Sequence, residues 1–457
     1  MPTNNIHVNI YKFYFLCLPL GHVFNFPFND AIQPYLPDFS TLVALFGLLV
    51  LATSEKSLSI NKRIRALYRL YAILAVYSIL ASMVLTLHLN NPIESSFRAI
   101  VGDIVLYLLF ILSVYYNYVV LNKYIKITSL FNLLKLQMML LLFVGFIQYL
   151  SINGVFSASI LYNTLASIFS LRELSWLSNL ERGVTFFGTE PASASLICYL
   201  TIPYILAMII TKKGKQRFTF FIILLLFAFL FFSSDSSSAL ISFIFVLLAT
   251  FYLGVMKGRP NRLKLISFTM GLLMAIMYTV VFAQVSLEVD NDAGFSYVLL
   301  GKFFDTTNYS TITRTSTIIN DMNIFKDFPI TGVGNGNQGF YYNTYVPYWM
   351  DSSKEVQDLR NVIPNGGGNF FPSFLSGFGI IGICLLYNYV KKFLKWESDS
   401  VLAENSAIAF LYNISISLFL LSSWYSVSMK SFEIMAFLLC LPLIKSRNSI
   451  DLKLNTV

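Results

Sequence analysis

Long apolar runs, each followed by a short polar connection, repeat along almost the whole chain. About 20 predominantly apolar residues are what an α-helix needs to cross the hydrocarbon core of a membrane. Because most of the runs are apolar all round, they predict helices covered by lipid or by other helices. The pattern predicts twelve spans, near residues 11–26, 38–53, 66–88, 98–121, 131–152, 191–210, 217–232, 238–256, 264–284, 370–389, 405–422 and 429–444.

The composition agrees with this pattern and excludes a soluble globular protein. Hydrophobic residues make up 56% and charged residues 12% of the 457-residue chain. A membrane barrel would need short segments of alternating apolar and polar residues, whereas residues 218–232 are apolar on every face. Pro19 and Gly21 interrupt the first run, which lacks an A-x-A cleavage site, so we expect a retained helix rather than a signal peptide. The sequence therefore predicts an all-α polytopic integral membrane protein.

Lysine and arginine are distributed unevenly between the two sets of connections. By parity, the connections on one side of the membrane carry 23 of the 32 basic residues and five acids, a net charge of +18 against −9 for the remainder. Basic residues accumulate on the cytoplasmic side, so both termini are predicted to be cytoplasmic. The net charge of +9 is thus explained by topology, and no nucleic-acid partner is expected.

Two connections on the outer side are long, and long loops in a compact architecture are usually functional. The first, at about 153–190, predicts an interfacial helix from the helical spacing of Leu161, Leu165, Ile168, Phe169 and Trp176. The second, at about 285–369, predicts an amphipathic helix whose one face carries Ile312, Thr315, Ile319, Met322 and Phe325. The chain is accordingly divided into residues 1–284 with nine spans, the large outer loop 285–369, and residues 370–457 with three spans and a cytoplasmic tail.

The sharpest chemical signal lies in residues 181–195, at the mouth of the sixth span. Arg182 stands beside Gly183 near the membrane boundary, where a guanidinium can hold phosphate oxygens through two parallel hydrogen bonds. The structural alternative is an interfacial arginine paired with an acid or a lipid headgroup. Glu190 precedes Pro191, and a carboxylate at this position is favoured by the helix dipole without any catalytic role. Close to Arg182, however, it could also orient or deprotonate an attacking hydroxyl.

Arg314 is the second candidate, in the first turn of the amphipathic helix of the large loop, and the same two interpretations apply to it. Asp321 lies about 10.5 Å further along the helix axis, which is too far for a direct ion pair. A glycine-rich turn follows, in which Gly332 and Gly334 can bring backbone amides close to a ligand. The tyrosines and the tryptophan after this turn either stack on sugar rings or pack the loop onto the membrane.

Metal and redox chemistry have no support in the pattern. The four cysteines and three histidines are scattered without metal-ligand spacing, so no metal and no cofactor are expected. Asp290 and Asp292 have the D-x-D form of soluble sugar transferases, but they follow a span on the outer face and are interpreted as a solvated acidic loop. Glu433 lies three residues after Lys430 in the last span, and we expect local pairing there.

Together these motifs resemble the bacterial O-antigen polymerase and O-antigen ligase superfamily. The resemblance rests on Arg182-Gly-x-x-x-Phe-x-x-Glu190-Pro191, and on a large outer loop with Arg314 ahead of Pro329-x-x-Gly332-x-Gly334-x-Gly336. Residues 369–382, NFFPSFLSGFGIIG, resemble the superfamily's return to the membrane after that loop. The topology is similar along most of the chain, whereas the specific motifs occupy only residues 181–195 and 314–382.

The resemblance implies a GT-C-like helical glycosyltransferase of the bacterial inner membrane, with an outward-facing site. Its donor would be a glycan on undecaprenyl pyrophosphate, transferred with inversion and without metal onto a sugar hydroxyl of another lipid-linked repeat unit; a chain-length regulator protein is a further expected partner. Carried over residue by residue, Arg182 and Arg314 match the arginines that bind the pyrophosphate, and Glu190 matches the acidic residue of the same motif. The expected substrate-binding residues beside them are Gly183, Gly332, Gly334 and Asn369.

Two departures from the superfamily pattern bear on the reaction. Many members have an arginine between the spans near 217–232 and 238–256, where this chain has Asp235 among serines. Ligases carry a histidine in or just after the large loop, whereas residues 285–371 have none and Asn369 stands near that position. The missing histidine favours a polymerase over a ligase and leaves the general base open. The alternative from a different class is a lipid-linked oligosaccharide flippase, which would place charged residues near mid-membrane.

Overall fold

The computed structural model describes residues 2–19, 39–54, 62–89, 93–169, 183–187, 191–234, 236–255, 309–361, 370–397, 400–422 and 432–444. In these ranges the regular elements are helices. The first group comprises α1 (Pro2–Cys17), α2 (Phe39–Ser54), α3 (Lys62–Leu89), α4 (Ile93–Lys123), α5 (Ile127–Ile152), α6 (Phe156–Phe169), α7 (Ile197–Thr211), α8 (Gly214–Phe232) and α9 (Ser237–Val255). The second comprises α10 (Tyr309–Asp327), α11 (Tyr342–Tyr345), α12 (Lys354–Asn361), α13 (Phe370–Glu397), α14 (Val401–Glu404), α15 (Ser406–Ser422) and α16 (Phe432–Cys440).

Eleven of the predicted spans overlap these helices, the first of them only in part, because it was placed near 11–26 and α1 ends at Cys17. The span near 264–284 lies outside the described residues. Five helices are long and apolar enough to cross a membrane, namely Lys62–Ala81, Ser129–Ile152, Ala194–Thr211, Gly214–Phe232 and Phe370–Glu397. Shorter apolar helices are Phe39–Ser54, Ser238–Tyr252, Ser406–Ser422 and Glu433–Leu443. The described helices are therefore compatible with a polytopic membrane protein, while the number of twelve spans stays a prediction.

Helix α7 lies at the centre of the helical bundle. Every residue from Ile197 to Met208 is buried, and the helix packs against α8, α9 and α15. A helix that is apolar around its whole circumference is stable only where neighbours or lipid cover every face. Since α7 continues a 3-10 turn at Pro191–Leu196, the Arg182 motif leads directly into the centre of the bundle.

The contacts of α3 agree with the predicted topology. At its first turn the Arg63 guanidinium donates to the carbonyls of Trp396 and Pro442, at 3.2 and 2.9 Å. The start of α3 thus meets the C-terminal ends of α13 and α16, three positions that parity places on the same side. About 21 Å further along the helix, Tyr77 and Ser78 contact the glycine-rich turn of the large loop.

The two predicted amphipathic helices exist, and each buries part of its predicted face together with residues outside that face. In α6 the buried residues are Ala158, Tyr162 and Ala166, packed toward α5, whereas Leu161 is 42% exposed; Trp176 lies outside the described residues. In α10 Ile312 of the predicted face is buried and Ile319 packs against the same cluster, but Ser316, Asn320 and Asp321 are buried as well. The periodicity of apolar residues predicted that these helices exist. It could not predict which polar residues are buried, because the residues that contact them are distant in sequence.

A carboxylate lies inside the bundle, where it accepts hydrogen bonds from three hydroxyl groups. Glu433 accepts from Tyr14 at 2.8 Å, from Thr41 at 2.8 Å and from Ser113 at 2.6 Å. These partners come from three other spans, so the node fixes α1, α2, α4 and α16 relative to one another. Pairing with Lys430 was expected instead; Lys430 lies outside the described residues.

Candidate functional site

The turn after Arg182 is built against the end of α8. Residues 183–187 form this turn, and the Val184 amide donates to the Ser233 carbonyl at 3.1 Å. A Cβ added at Gly183 would come 1.8 Å from the same carbonyl oxygen, so only glycine permits this approach. The connection in which superfamily members carry an arginine is thus in direct contact with the motif. Arg182, Glu190 and Asp235 lie outside the described residues.

Helix α13 is broken near its start, and the large loop fills the break. Gly379 has φ 56° and ψ −154°, a conformation that is essentially restricted to glycine. The break exposes backbone groups on both sides of it, and at membrane depth such groups must be paired within the protein. Those after the break donate to the loop, Ile380 to the Pro329 carbonyl at 2.9 Å and Ile381 to the Ile330 carbonyl at 3.2 Å.

The glycine-rich turn completes this pairing on the other side of the break. The amides of Val333 and Gly334 donate to the carbonyls of Ser376 and Gly377, each at 2.8 Å. Gly332 has φ +63°, and a Cβ there would come 2.5 Å from the Gly377 backbone. The Gly334 amide therefore bonds to the protein itself, and the turn is a backbone-to-backbone contact between loop and membrane helix.

A buried carboxylate holds α10 against the same segment of α13. Asp321 is fully buried, and its two oxygens accept hydrogen bonds from Ser373 at 3.0 Å and from Ser376 at 2.8 Å. The Gln338 side chain donates to the Ser373 carbonyl at 3.1 Å and accepts from the Gly336 amide at 2.9 Å. Helix α10, which carries half-buried Arg314, is thereby locked to the glycine-rich turn and to the broken helix.

Burial raises the pKa of the Asp321 carboxyl to about 7, although the two serine hydroxyls partly counteract this. Unfolded, the group titrates near 3.9, so between about pH 4 and 7 the folded state holds a proton that the unfolded state has lost. The free energy of unfolding should fall as pH rises through this window, by up to about 1.4 kcal/mol per unit, and level off above it.

We expect Asp321→Asn to remove this pH dependence, because an amide keeps the shape and a neutral form of the group. The measurement is the apparent melting temperature of the purified protein in detergent between pH 5 and 8. Asp358→Asn, at an exposed position of α12, is the control and should follow the wild type. Parallel curves for wild type and Asp321→Asn would contradict the assignment.

Arg360 organises the rest of the described loop. Its guanidinium pairs with Asp351 at 2.7 Å and donates to the carbonyls of Tyr342 at 2.9 Å and Val346 at 2.7 Å. It also lies 4.6 Å from the ring centroid of Tyr348, a cation–π distance. These contacts enclose a small apolar core formed by Ile312, Tyr342, Val346, Met350 and Val356.

The aromatic residues of the loop divide into buried and exposed sets. Tyr341 and Tyr342 are buried, and Tyr341 stacks on Tyr345 with ring centroids 5.8 Å apart. Tyr348 and Trp349, in contrast, are 71% and 57% exposed. Arg360 holds the Tyr348 ring from one side, so this pair is the exposed aromatic surface that the loop core presents.

Helix α15 connects the two halves of the candidate site. Near its end Phe419 contacts Phe370, with ring centroids 5.6 Å apart, and Ser422 is hydrogen-bonded to the Tyr199 hydroxyl. Phe370 begins α13 directly after Asn369, which lies outside the described residues, and Tyr199 is in α7, nine residues after Glu190. Because Phe419 and Ser422 are three residues apart, the start of α13 and helix α7 contact the same face of α15 near its end.

Among the described residues there is no group of three histidine, cysteine or acidic side chains able to hold a metal ion. Sequence reasoning missed Asp321 as a buried anchor, the break at Gly379 and the clamp at Arg360. The glycine motif could have indicated the break, whereas nothing near Asp321 or Arg360 in sequence reveals their partners.

Residues 220–387 match a family model described as O-antigen ligase. No curated protein matches the chain. The matched segment is just over a third of the chain; it includes Arg314, the glycine-rich turn and the broken helix, and stops short of Arg182 and Glu190. Members of this family are enzymes that act on lipid-linked sugars, as polymerases or as ligases. The match supports the resemblance predicted from the motifs: residues 220–387 are similar to the O-antigen ligase family.

Proposed function

We propose that the protein is an O-antigen-type polysaccharide polymerase at the outer face of the bacterial inner membrane, with both termini in the cytoplasm. It transfers a glycan from undecaprenyl pyrophosphate onto a sugar hydroxyl of another lipid-linked repeat unit. The observation that carries the proposal is the hydrogen-bonded unit of α10, the glycine-rich turn and the broken start of α13. This unit fixes the helix of Arg314 against a membrane helix, where a lipid-linked pyrophosphate would lie.

The reaction exchanges one bond at the anomeric carbon for another. The acceptor hydroxyl oxygen bonds to this carbon from the side opposite the leaving group, which inverts its configuration, and the bond to the pyrophosphate oxygen breaks. Negative charge then concentrates on the departing undecaprenyl pyrophosphate. In this proposal Arg182 and Arg314 stabilise that charge more than they stabilise the intact substrate, since a guanidinium held at a partly dehydrated membrane surface would interact most strongly with the departing pyrophosphate. The acceptor proton passes to Glu190.

The glycines have a supporting role in this proposal. Gly183 and Gly332 permit close backbone contacts, and the Gly334 amide bonds to α13. We therefore assign these three positions to the wall that shapes the substrate site. Asn369 stands directly before α13, where its side chain would meet the substrate beside that wall.

We expect Tyr348→Ala and Trp349→Ala to raise the KM for the lipid-linked glycan about fivefold each while kcat stays within about twofold. The reason is that a ring stacked on a sugar contributes about 1 kcal/mol, and it binds ground state and transition state alike. The control is Tyr309→Ala, another exposed tyrosine of the loop (63% exposed), which should leave both constants unchanged. Equal effects of all three substitutions would contradict a specific role of Tyr348 and Trp349 in sugar binding.

A ligase is the second candidate, because the matching family model is described as O-antigen ligase. The two reactions share the donor and the leaving group, and they differ in whether the acceptor is another repeat unit or the lipopolysaccharide core. The absence of histidine from residues 285–371 supports the polymerase.

A gel profile of lipopolysaccharide from a strain lacking the gene tests the proposal. Loss of the ladder, with core carrying a single repeat unit, is expected, and the wild-type gene should restore the ladder. Core without any repeat unit would point to ligation or flipping instead. An unchanged ladder would contradict an O-antigen role.

A further inference from the structure

We propose that Gln148 is a positioning residue that holds the turn between Arg182 and Glu190 in its working conformation. Its role for catalysis depends on the function proposed above. Gln148 lies on α5, more than 30 residues before the motif, and its side chain is fully buried. The following contacts assign it this role.

The Gln148 amide group is completely used by the turn and its support. Its Oε1 accepts hydrogen bonds from the backbone amides of Thr185 and Phe186, both at 2.8 Å. Its Nε2 donates to Thr185 Oγ1 at 2.8 Å and to the Tyr162 hydroxyl at 3.2 Å. A glutamine amide can accept two hydrogen bonds and donate two, so every position is occupied and three of the four hold the turn.

The turn requires this support because its backbone is strained. Phe186 has φ 54°, a conformation that non-glycine residues adopt only where the surroundings enforce it. Its ring is buried against Phe227 and Phe231. Gly145, one turn before Gln148 on α5, leaves space for the ring, since a Cβ there would come 2.6 Å from Phe186 Cε1. Gly145 and Gln148 together form the surface of α5 against which the turn packs.

The turn that packs on this surface lies between the two candidate catalytic residues in sequence. Arg182 directly precedes the described turn, and Glu190 follows it by three residues. A movement of about 1 Å at a catalytic group can lower the rate about a hundredfold. Removing the Gln148 contacts should therefore lower catalysis by changing where Arg182 and Glu190 lie, although Gln148 itself does not touch the substrate.

Gln148→Leu is the test, and Gln137→Leu is its matched control. Gln137 is also a buried glutamine of α5, and its side chain donates to the Phe15 carbonyl at 2.9 Å, far from the motif. Both variants lose a buried amide, but Gln148→Leu removes four hydrogen bonds and Gln137→Leu one. The melting temperature of each variant is therefore measured as well, and kcat is taken per folded protein. Two quantities are measured: kcat for transfer from a lipid-linked glycan, and the rate at which a water-soluble maleimide labels a cysteine placed at Thr189.

The labelling uses a Cys384→Ser background, since Cys384 is the exposed one of the four cysteines. We expect Gln148→Leu to lower kcat at least about tenfold and to change the labelling rate at least threefold, while Gln137→Leu changes neither. Normal kcat, unchanged labelling or equal losses in both glutamine variants would overturn the proposal. If the wild type transfers no glycan, the polymerase assignment fails, and the labelling difference alone decides whether Gln148 fixes the turn.

Thr185→Val keeps the proposal testable if Gln148→Leu does not accumulate. It is nearly isosteric and removes only the hydroxyl that Nε2 of Gln148 contacts. A loss of about threefold in kcat with faster labelling at position 189 is expected. Wild-type values of both quantities would overturn the role of Gln148.

Discussion

Arg314→Ala and Arg182→Ala are each expected to abolish chain extension, with a loss of at least about a thousandfold in transfer rate. Each substitution removes a guanidinium that stabilises the departing pyrophosphate, and no neutral side chain replaces its two parallel hydrogen bonds. Lysine at these positions should recover only part of the activity, because an ammonium group cannot form the planar fork. The measurement is polymer length in cells and initial rate with purified protein.

Two controls separate this effect from damage to the loop. Lys326→Ala removes an exposed charge from the same helix as Arg314, and it should leave activity unchanged. Arg360→Ala breaks the contacts that enclose the loop core, so it should lower the melting temperature together with activity. Arg314→Ala should lower activity alone. Long polymer made by both arginine variants would refute the assignment of these two residues.

Gly379→Ala is expected to destabilise the protein by about 3 kcal/mol or more and to eliminate transfer. An alanine strongly disfavours φ 56° with ψ −154°, and its Cβ would come 2.5 Å from the Ile330 carbonyl oxygen. The substitution would therefore disrupt the hydrogen bonds that join α13 to the loop. The measurement is the melting temperature of the purified protein beside its transfer rate.

Gly214→Ala is the matched control for this experiment. Gly214 has φ +57°, almost the same value, but a Cβ there would meet nothing within 4 Å. Gly214→Ala should lower the free energy of unfolding by only about 1 kcal/mol, because only the backbone conformation is disfavoured. The variant should keep full activity. A Gly379→Ala variant as stable and active as Gly214→Ala would show that the break in α13 is not essential.

The membrane helices could be predicted because their signal is local. An apolar run of sufficient length determines a helix in lipid almost regardless of its partners. The first span is an exception, since it was predicted near 11–26, across Pro19, whereas α1 ends at Cys17, two residues before that proline. The charge bias gave a topology with which the Arg63 contacts agree. Boundaries shifted by several residues, as at α1, because polar ends extend beyond the hydrocarbon core.

The internal connections of the site could not be predicted because they join residues far apart in sequence. Asp321 bonds to serines 52 and 55 positions away, and Gln148 bonds to amides 37 and 38 positions away. In isolation both look like ordinary polar residues of a helix. Periodicity marks a buried face only if it is apolar, so the polar contact face of α10 was missed. The roles of Arg182, Arg314, Glu190 and Asn369 remain predictions from the motifs.

The most direct measurement uses the purified protein in liposomes with one substrate, an undecaprenyl-pyrophosphate-linked repeat unit. We expect a lipid-linked dimer and longer chains, with one undecaprenyl pyrophosphate released for each bond formed. Addition of lipopolysaccharide core should not be required. Absence of any dimer, together with transfer of the single unit to added core, would contradict polymerisation and identify a ligase.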